Sequence, residues 1–507
     1  MKLIFVLFDS LNRNALTCYG GTHVKTPNFQ RLADQSVVFD THYVGSLPCI
    51  LARRDMHTGR LNFLHRSWGP LEPYDNSFPA IMREARIHTH LASDHYHYFE
   101  DGGWSYHTRY STWDFVRGQE SDAWVAMVKP PLERLREQYH AINFDDFYGS
   151  VRLQGMLNRE RIREEADFPC VKTFDHGLRF LNNNRNEDGW LLQVETFDPH
   201  EPFQAPERFR KDYPTNYAGG ILDWPHYRRV VESPDEVAEL RANYAALVAL
   251  CDDQLGRFLD YMDTHGMWHN TALVLTTDHG FLLGEHDWWA KSLMPFYNQI
   301  AHIPLMIHHP DFAGEGATRR AALTQTVDIM PTLLDMFGID IPDEVRGHSL
   351  MPLMAADKTV RGVGIYGMFG AATNATDGRY TYFRYPDDLA GQELYGYTLM
   401  PTHMREFFDT SEFISARHSD PFDFTKGMPT LRLPARFEAD RPPAFGGVYD
   451  AETVLYDLEA DPEQLHPLDP AEVPDVMERL VGRIRAEMQA HDAPPEAFVR
   501  LDLAGTD

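Results

Sequence analysis

The hydrophobic pattern starts at the second residue. Lys2-Leu-Ile-Phe-Val-Leu-Phe8 is a short apolar run closed by Asp9-Ser-Leu-Asn-Arg-Asn14, a length that suits a strand buried on both faces. Comparable runs recur at Ser36–Asp40, Trp190–Thr196, Ala272–Thr276 and Leu305–His308. Helical patterns alternate with them, the signature of βαβ units around a mostly parallel sheet. The longest predicted helix, Asp235–His265, carries Leu240, Tyr244, Leu247, Leu250, Leu255, Phe258 and Leu259 at helical spacing, and these read as core. Several predicted strands end in polar residues, including Asp9, Asp198, Asp278 and His279. Ligands of open α/β sheets bind beyond the carboxyl ends of the strands, so a site is expected there.

The pattern changes near Asp340-Ile-Pro-Asp343. Shorter β-like runs follow at Gly362–Phe369 and Arg379–Arg384, then a stretch rich in Pro, Phe and Met over about 386–447. That stretch is too long for an ordinary loop and is read as an irregular insertion. An amphipathic helix, Pro474–Ala490, closes the chain through Val476, Leu480, Ile484 and Met488. The expected fold is α/β: a large mixed, mostly parallel central sheet flanked by helices over 1–360, then a smaller C-terminal α+β unit over 361–507.

Composition narrows the class. At 507 residues, 43% hydrophobic and 24% charged, the chain is not predominantly disordered, collagenous or coiled-coil. The net charge of −28 repels nucleic acid and anionic membranes, so neither is expected as a partner; a local cluster of cations can still hold a small anion. The N-terminal apolar run is cut short and lacks the small-residue cleavage site of a signal peptide, and a cytoplasmic location is expected. Cys18, Cys49, Cys170 and Cys251 form no CxxC pair, which supports neither a disulfide framework nor a structural zinc site.

One of these cysteines stands in a specific string, Ser46-Leu-Pro-Cys49-Ile-Leu-Ala-Arg53-Arg-Asp-Met-His-Thr58-Gly59-Arg60. It resembles the signature of the formylglycine-dependent sulfatases of the alkaline phosphatase superfamily, Cys-x-Pro-Ser-Arg, a short spacer and Thr-Gly-Arg. The match holds at Cys49, Arg53, Thr58, Gly59 and Arg60, while Leu51 replaces the family's Pro and Ala52 its Ser. The resemblance implies that a formylglycine-generating enzyme oxidises Cys49 to formylglycine, whose hydrate is the nucleophile. A sulfatase-like protein with unmodified Cys49 is the alternative that Leu51 leaves open.

Ala272-Leu-Val-Leu-Thr-Thr-Asp278-His279-Gly280, continuing to Gly284-Glu285-His286 and Lys291, resembles the family's second metal-binding segment, and Asp9 stands where the family has its first metal carboxylate. Ser10 replaces the Asp that often follows. The resemblance thus implies one divalent ion held by Asp9, Asp278, His279 and an oxygen at residue 49. A mixed oxygen and nitrogen set suits Mn2+ at least as well as Ca2+. Phe197-Asp198-Pro199-His200-Glu201-Pro202 resembles the family's Asp-x-His-x-Pro, which makes His200 the acid for the leaving oxygen. His90-Leu-Ala-Ser-Asp-His95-Tyr-His97 aligns with the family's Lys-Trp-His, which places His95 and Lys291 on the sulfate oxygens, His97 as the base that regenerates the aldehyde, and Arg53 on the nucleophile's oxygen. His403 is a further expected substrate contact.

The expected function is hydrolysis of small-molecule aryl or alkyl sulfate monoesters. A phosphonate monoester hydrolase or phosphodiesterase using the same site is the first alternative, and a non-catalytic sulfatase-like binding protein the second. If copies of the chain associate as a homo-oligomer, the insertion is the segment expected to meet its partner.

Overall fold

In a computed structural model that describes residues 1–147, 149–389, 391–435 and 450–504, Lys2–Phe8 lies inside an eight-stranded sheet. Across the sheet the strands run Thr318–Arg320, Val37–Phe39, Leu305–His308, Thr271–Thr277, Lys2–Phe8, Trp190–Thr196, His88–Ser93 and Thr112–Phe115. Leu305–His308 is antiparallel to both its neighbours and the other pairings are parallel. The sheet is therefore mixed and mostly parallel, as the hydrophobic runs indicated.

Side chains alternate between the two faces of a strand, and Lys2–Phe8 uses both. Leu3, Phe5 and Leu7 join Ile50, Met56, Phe78, Met82 and Leu333 in one core. Ile4, Val6 and Phe8 join Phe174, Leu247, Leu255 and Phe258 in the other. Burial of each such side chain is worth about 1.5–3 kcal/mol, so an unbroken apolar run is what a strand covered on both faces requires. The second core is built largely on the helix Pro234–Thr264, whose start is fixed by a capping box between Ser233 and Glu236.

The register sets the level of the site. Phe8 pairs with Thr196 on one side and Thr277 on the other, and Ser93 pairs with Glu195. The chain therefore leaves the parallel strands at Asp9, Phe197, Asp278 and Asp94 along one edge of the sheet.

A second, five-stranded sheet runs Val454–Asp457, Tyr380–Phe383, Thr373–Thr376, Gly364–Met368 and Ser46–Leu47. Its last strand comes from the N-terminal part of the chain and leads directly to Cys49. The helix Pro474–Ala490 buries Leu480, Ile484 and Met488 beside Ile365, Ala375, Tyr382 and Leu455. The reading of 386–447 as irregular is corrected for its described part. Tyr395–Thr398, Thr430–Pro434 and Arg417–Ser419 form a three-stranded antiparallel sheet, with a short helix at Thr410–Ser415; 436–447 lie outside the described residues. Such short strands carry too few positions for a periodicity to be read, and only their pairing defines them. Glu72 ties this sheet to the N-terminal part by accepting bonds from Thr398 Oγ1 at 2.5 Å and Leu399 N at 2.9 Å. Among the described residues no helix is long and apolar enough to cross a membrane.

Candidate active site

Cys49 is the first residue of the helix Cys49–Thr58. The turn before it is held by Asp55, one helical turn and a half further on, which accepts bonds from Ser46 N at 2.6 Å, Ser46 Oγ at 2.8 Å and Asn62 N at 2.9 Å. Burial raises the Asp55 carboxyl to about 7 despite these donors. Cys49 thereby meets the ends of the two central strands. The ligand atoms of Asp9, Cys49, Asp278 and His279 all lie within 4.8 Å of one another, and all four residues are buried.

The histidine is arranged as a ligand. His279 Nδ1 lies 2.9 Å from the Gly280 carbonyl, which assigns the proton to Nδ1 and leaves the Nε2 lone pair facing Cys49 Sγ at 3.2 Å and Asp278 Oδ2 at 3.3 Å. Burial and Lys291 depress its pKa, with Asp278 opposing, so the ring is neutral and able to coordinate. Burial and Asp9 push the Cys49 thiol well above its usual value. The start of a helix favours an anion by only about 0.3–1 kcal/mol, too little to offset this.

Arg53 lies one turn along the same helix. Its Nε donates to Glu195 Oε1 at 2.6 Å, its Nη1 to Asp278 Oδ2 at 2.6 Å and to the Cys49 carbonyl at 3.1 Å, and its Nη2 to Asp9 Oδ2 at 2.9 Å. Where the resemblance assigned Arg53 to the nucleophile's oxygen, the structure engages the guanidinium with three carboxylates and the backbone of residue 49. Lys291 Nζ donates to Ser10 Oγ at 2.8 Å and stands 3.6 Å from Asp9 Oδ1. Burial opposes its charge, but Cys49, Asp9, Glu201 and Asp278 outweigh that and raise its pKa. Burial likewise opposes the Asp9 carboxylate, yet Lys291 and Arg53 hold its pKa well below the ordinary range.

Asp9, Asp278 and Glu195 thus carry one formal negative charge more than Arg53 and Lys291 balance. Two buried carboxylates, an imidazole lone pair and a net negative charge fit a divalent cation. Ser10 occupies the place of a further carboxylate. It has a left-handed φ of 61° and donates its hydroxyl to Asp9 Oδ1 at 2.7 Å.

Three of the predicted histidines stand around this cluster. His200 Nδ1 is 2.6 Å from the Glu201 carbonyl and 3.2 Å from Glu201 Oε2. Burial and Lys291 hold its pKa well below normal against the pull of Asp9. His95 is fully buried, with neither ring nitrogen bonded among the described residues; its ring lies 4.9 Å from that of Phe197 and 5.1 Å from that of His97. His97 Nδ1 meets Glu100 Oε2 at 2.6 Å, which leaves its Nε2 free to accept. His403 is not brought into the cluster. It is half exposed, bonded to Glu412 Oε1 at 2.8 Å and packed on Phe408.

The sequence reading missed Glu195, which also accepts from Tyr98 Oη at 3.0 Å and Gln193 Nε2 at 2.9 Å. A signal was present: Glu195 is the one ionised residue of the strand Trp190–Thr196, and a charge in a buried strand demands a partner. Glu201, bonded by Tyr227 Oη at 2.6 Å, was passed over because its neighbour His200 carried the motif.

Comparison with known proteins gives the family and the fold. The family profile described as Sulfatase matches residues 2–339, and one described as N-sulphoglucosamine sulphohydrolase, C-terminal, matches 284–419. The chain is 28% identical over 382 residues to a choline-sulfatase of Rhizobium meliloti, covering 70% of this chain and 71% of the relative. It is 24% identical over 417 residues to an N-acetylglucosamine-6-O-sulfatase of Bacteroides thetaiotaomicron, covering 70% of each. Among solved structures, a phosphonate monoester hydrolase of Agrobacterium radiobacter shares the fold with a TM-score of 0.63 at 18% identity, over 97% of this chain and 96% of the other.

Proposed function

The chain belongs to the sulfatase family, and from that premise we propose that it hydrolyses sulfate monoesters with a formylglycine made from Cys49 and one divalent cation, Mn2+ or Ca2+. The observation that carries this reading is the meeting of Asp9, Cys49, Asp278 and His279 within 4.8 Å. Asp9, Asp278, His279 and residue 49 would hold the cation, which supplies Lewis acidity and neutralises charge when bound. A formylglycine at residue 49 would supply, as its hydrate, the attacking hydroxyl.

The remaining work falls to the chain's own side chains. Arg53 fixes the two metal-facing carboxylates and the backbone of residue 49, so it positions the nucleophile. Lys291, and His95 through its unbonded nitrogens, face the oxygens of the ester where charge develops. His200 keeps its Nδ1 proton on the Glu201 carbonyl, so donation from Nε2 to the leaving oxygen requires the imidazolium. Burial and Lys291 oppose that form, while Asp9 favours it. His97, with Nδ1 held by Glu100, offers Nε2 as the base that takes the proton needed to release sulfate.

The test is production with a formylglycine-generating enzyme, a mass spectrum of the peptide containing residue 49, and sulfate release from 4-nitrophenyl sulfate beside a matched phosphonate monoester. Aldehyde at residue 49 with sulfate release supports the reading. An active preparation holding only thiol defeats the formylglycine mechanism, and a strong preference for the phosphonate replaces the sulfatase assignment.

A further inference from the structure

The segment that carries His403 brings Arg405, two residues on, to the loop of His97. Gly102 N donates to the Met404 carbonyl at 2.7 Å, and Met404 is buried in one core with Tyr98 and Tyr106. A Cβ at Gly102 would lie 2.2 Å from the His403 carbonyl oxygen, so glycine is what lets the two backbones come this close. Arg405 Nε then lies 3.5 Å from Glu100 Oε1, and its Nη2 lies 3.4 Å from Tyr96 Oη. Its Cζ is 6.0 Å from the centre of the Trp68 ring, and Trp68 packs edge-on against His97 at 5.1 Å.

The two oxygens of Glu100 have separate partners: Oε2 is 2.6 Å from His97 Nδ1, and Oε1 faces Arg405. Glu120 is a second carboxyl near Arg405, but burial, opposed by Arg405, raises it to about 8. It is uncharged at neutral pH, and Glu100 is the carboxylate that meets the guanidinium. His97 itself is 3% exposed, and the groups around it pull in different directions. Burial lowers its pKa, Glu100 raises it, and Arg405 and Arg53 lower it again. His95 and Tyr96 are the titratable groups in ring contact with it, at 5.1 and 4.3 Å. Burial keeps His95 neutral and Tyr96 protonated, so neither adds a charge.

We propose that Glu100 and Arg405 are positioning residues for His97. Glu100 holds the proton on Nδ1, which makes Nε2 the basic nitrogen, and Arg405, supplied by the C-terminal part of the chain, fixes the Glu100 carboxylate and tempers its charge. A carboxylate behind an imidazole selects the tautomer and stabilises the imidazolium formed when the other nitrogen takes a proton. Arg405 limits that stabilisation and keeps His97 neutral before each turnover. This rests on His97 as the base in the sulfatase reading above, and adds the residues that set its tautomer and basicity.

The experiment records ring 15N NMR of the Ca2+-equilibrated protein across pH, with His97→Gln identifying the His97 signals among the 25 histidines. In parallel, the pH dependence of sulfate release from 4-nitrophenyl sulfate is measured on protein carrying formylglycine and cation. Wild-type His97 is expected to be protonated at Nδ1. Glu100→Gln should lower the His97 pKa, move the acid limb of kcat to lower pH and cost about 10–100-fold in rate, as for other groups that orient a working histidine. Arg405→Met should move the pKa and the limb the other way, to higher pH. General loosening of the loop does not produce shifts of opposite sign. A wild-type His97 protonated at Nε2 overturns the proposal, as does a His97 pKa shift that is absent in either variant or of the same sign in both. The NMR readouts do not depend on turnover, so an inactive wild type defeats the sulfatase reading and leaves this test standing. The wild-type tautomer and the half-exposed Arg405 decide the matter even if Glu100→Gln does not fold.

Discussion

Arg53 Nε donates to Glu195 Oε1 at 2.6 Å, with both side chains sealed from solvent. This pair lies beneath the cluster of candidate metal ligands, and its other hydrogen bonds fix the direction of everything above it. Arg53 reaches Asp9 and Asp278 through its two remaining nitrogens, and Glu195 is braced by Tyr98 and Gln193. Removing one partner of a buried ion pair typically costs about 3–5 kcal/mol, because the other is left charged and unpaired. Arg53→Met should lower the thermal midpoint sharply, and added Mn2+ should recover part of the loss by supplying positive charge to the same carboxylates. A midpoint that ignores the substitution would remove Arg53 from this role.

Asp278 is both a candidate ligand and an acceptor for Arg53 and for the backbone N of Ser10 at 3.0 Å. Its replacement by Ala should weaken cation binding by more than the ~10–100-fold typical of losing a group behind the ligands. Elemental analysis after equilibrium dialysis measures this directly, without reference to turnover. Full cation content in Asp278→Ala would show that the ligand assignment is wrong.

His200 is proposed as the acid, and general acid catalysis is typically worth ~10²–10⁴ in rate, more for a more basic leaving oxygen. His200→Ala should therefore lose much more activity on alkyl sulfates than on 4-nitrophenyl sulfate. A leaving-group series on wild type and variant gives the two slopes, and parallel slopes would take the role away from His200.

Buried histidines set the acid limit of the fold. His57 is packed on Phe78, Tyr106 and Tyr110 and meets Ser77 Oγ at 2.9 Å, and burial depresses its pKa to about 3. Below the free imidazole value of about 6.5 the unfolded chain binds a proton that the folded chain refuses. The stability so contributed is complete above that pH and is lost as pH falls toward 3. His42, His65 and His302 are likewise depressed to about 3. Asp55 and Asp94, raised to about 7, act in the opposite direction: their share is present below the free carboxyl value and lost as pH rises toward 7. Glu120, raised to about 8, and Asp252, raised to about 6, act as these two acids do, while His90 and His286, depressed to about 4, join the four histidines. The six histidines outnumber the four acids, so the thermal midpoint should fall from pH 6.5 to 4. His57→Asn should flatten that fall by about one proton, or ~1.4 kcal/mol per pH unit. An unchanged slope would count against a neutral, buried His57.

The sequence alone determined five of the eight strands of the main sheet and most of the candidate site residues for one reason: both are written in local pattern. Lys2–Phe8, Trp190–Thr196, Leu305–His308 and the helix Pro474–Ala490 were legible because burial on one or two faces imposes a hydrophobic repeat on consecutive residues. Cys49, Asp278, His279 and His200 were legible because each sits in a short string of fixed spacing. Tertiary structure decided the rest. The eight-strand order brings Asp9 level with Asp278, and a strand borrowed by the second sheet delivers Cys49 to them. The three-stranded sheet within 386–447 exists only through pairing of segments too short to announce themselves. Arg53 acquires its part from Glu195, 142 residues away. Electrostatic roles depend on distance and dielectric in three dimensions, and neither can be read from spacing along the chain.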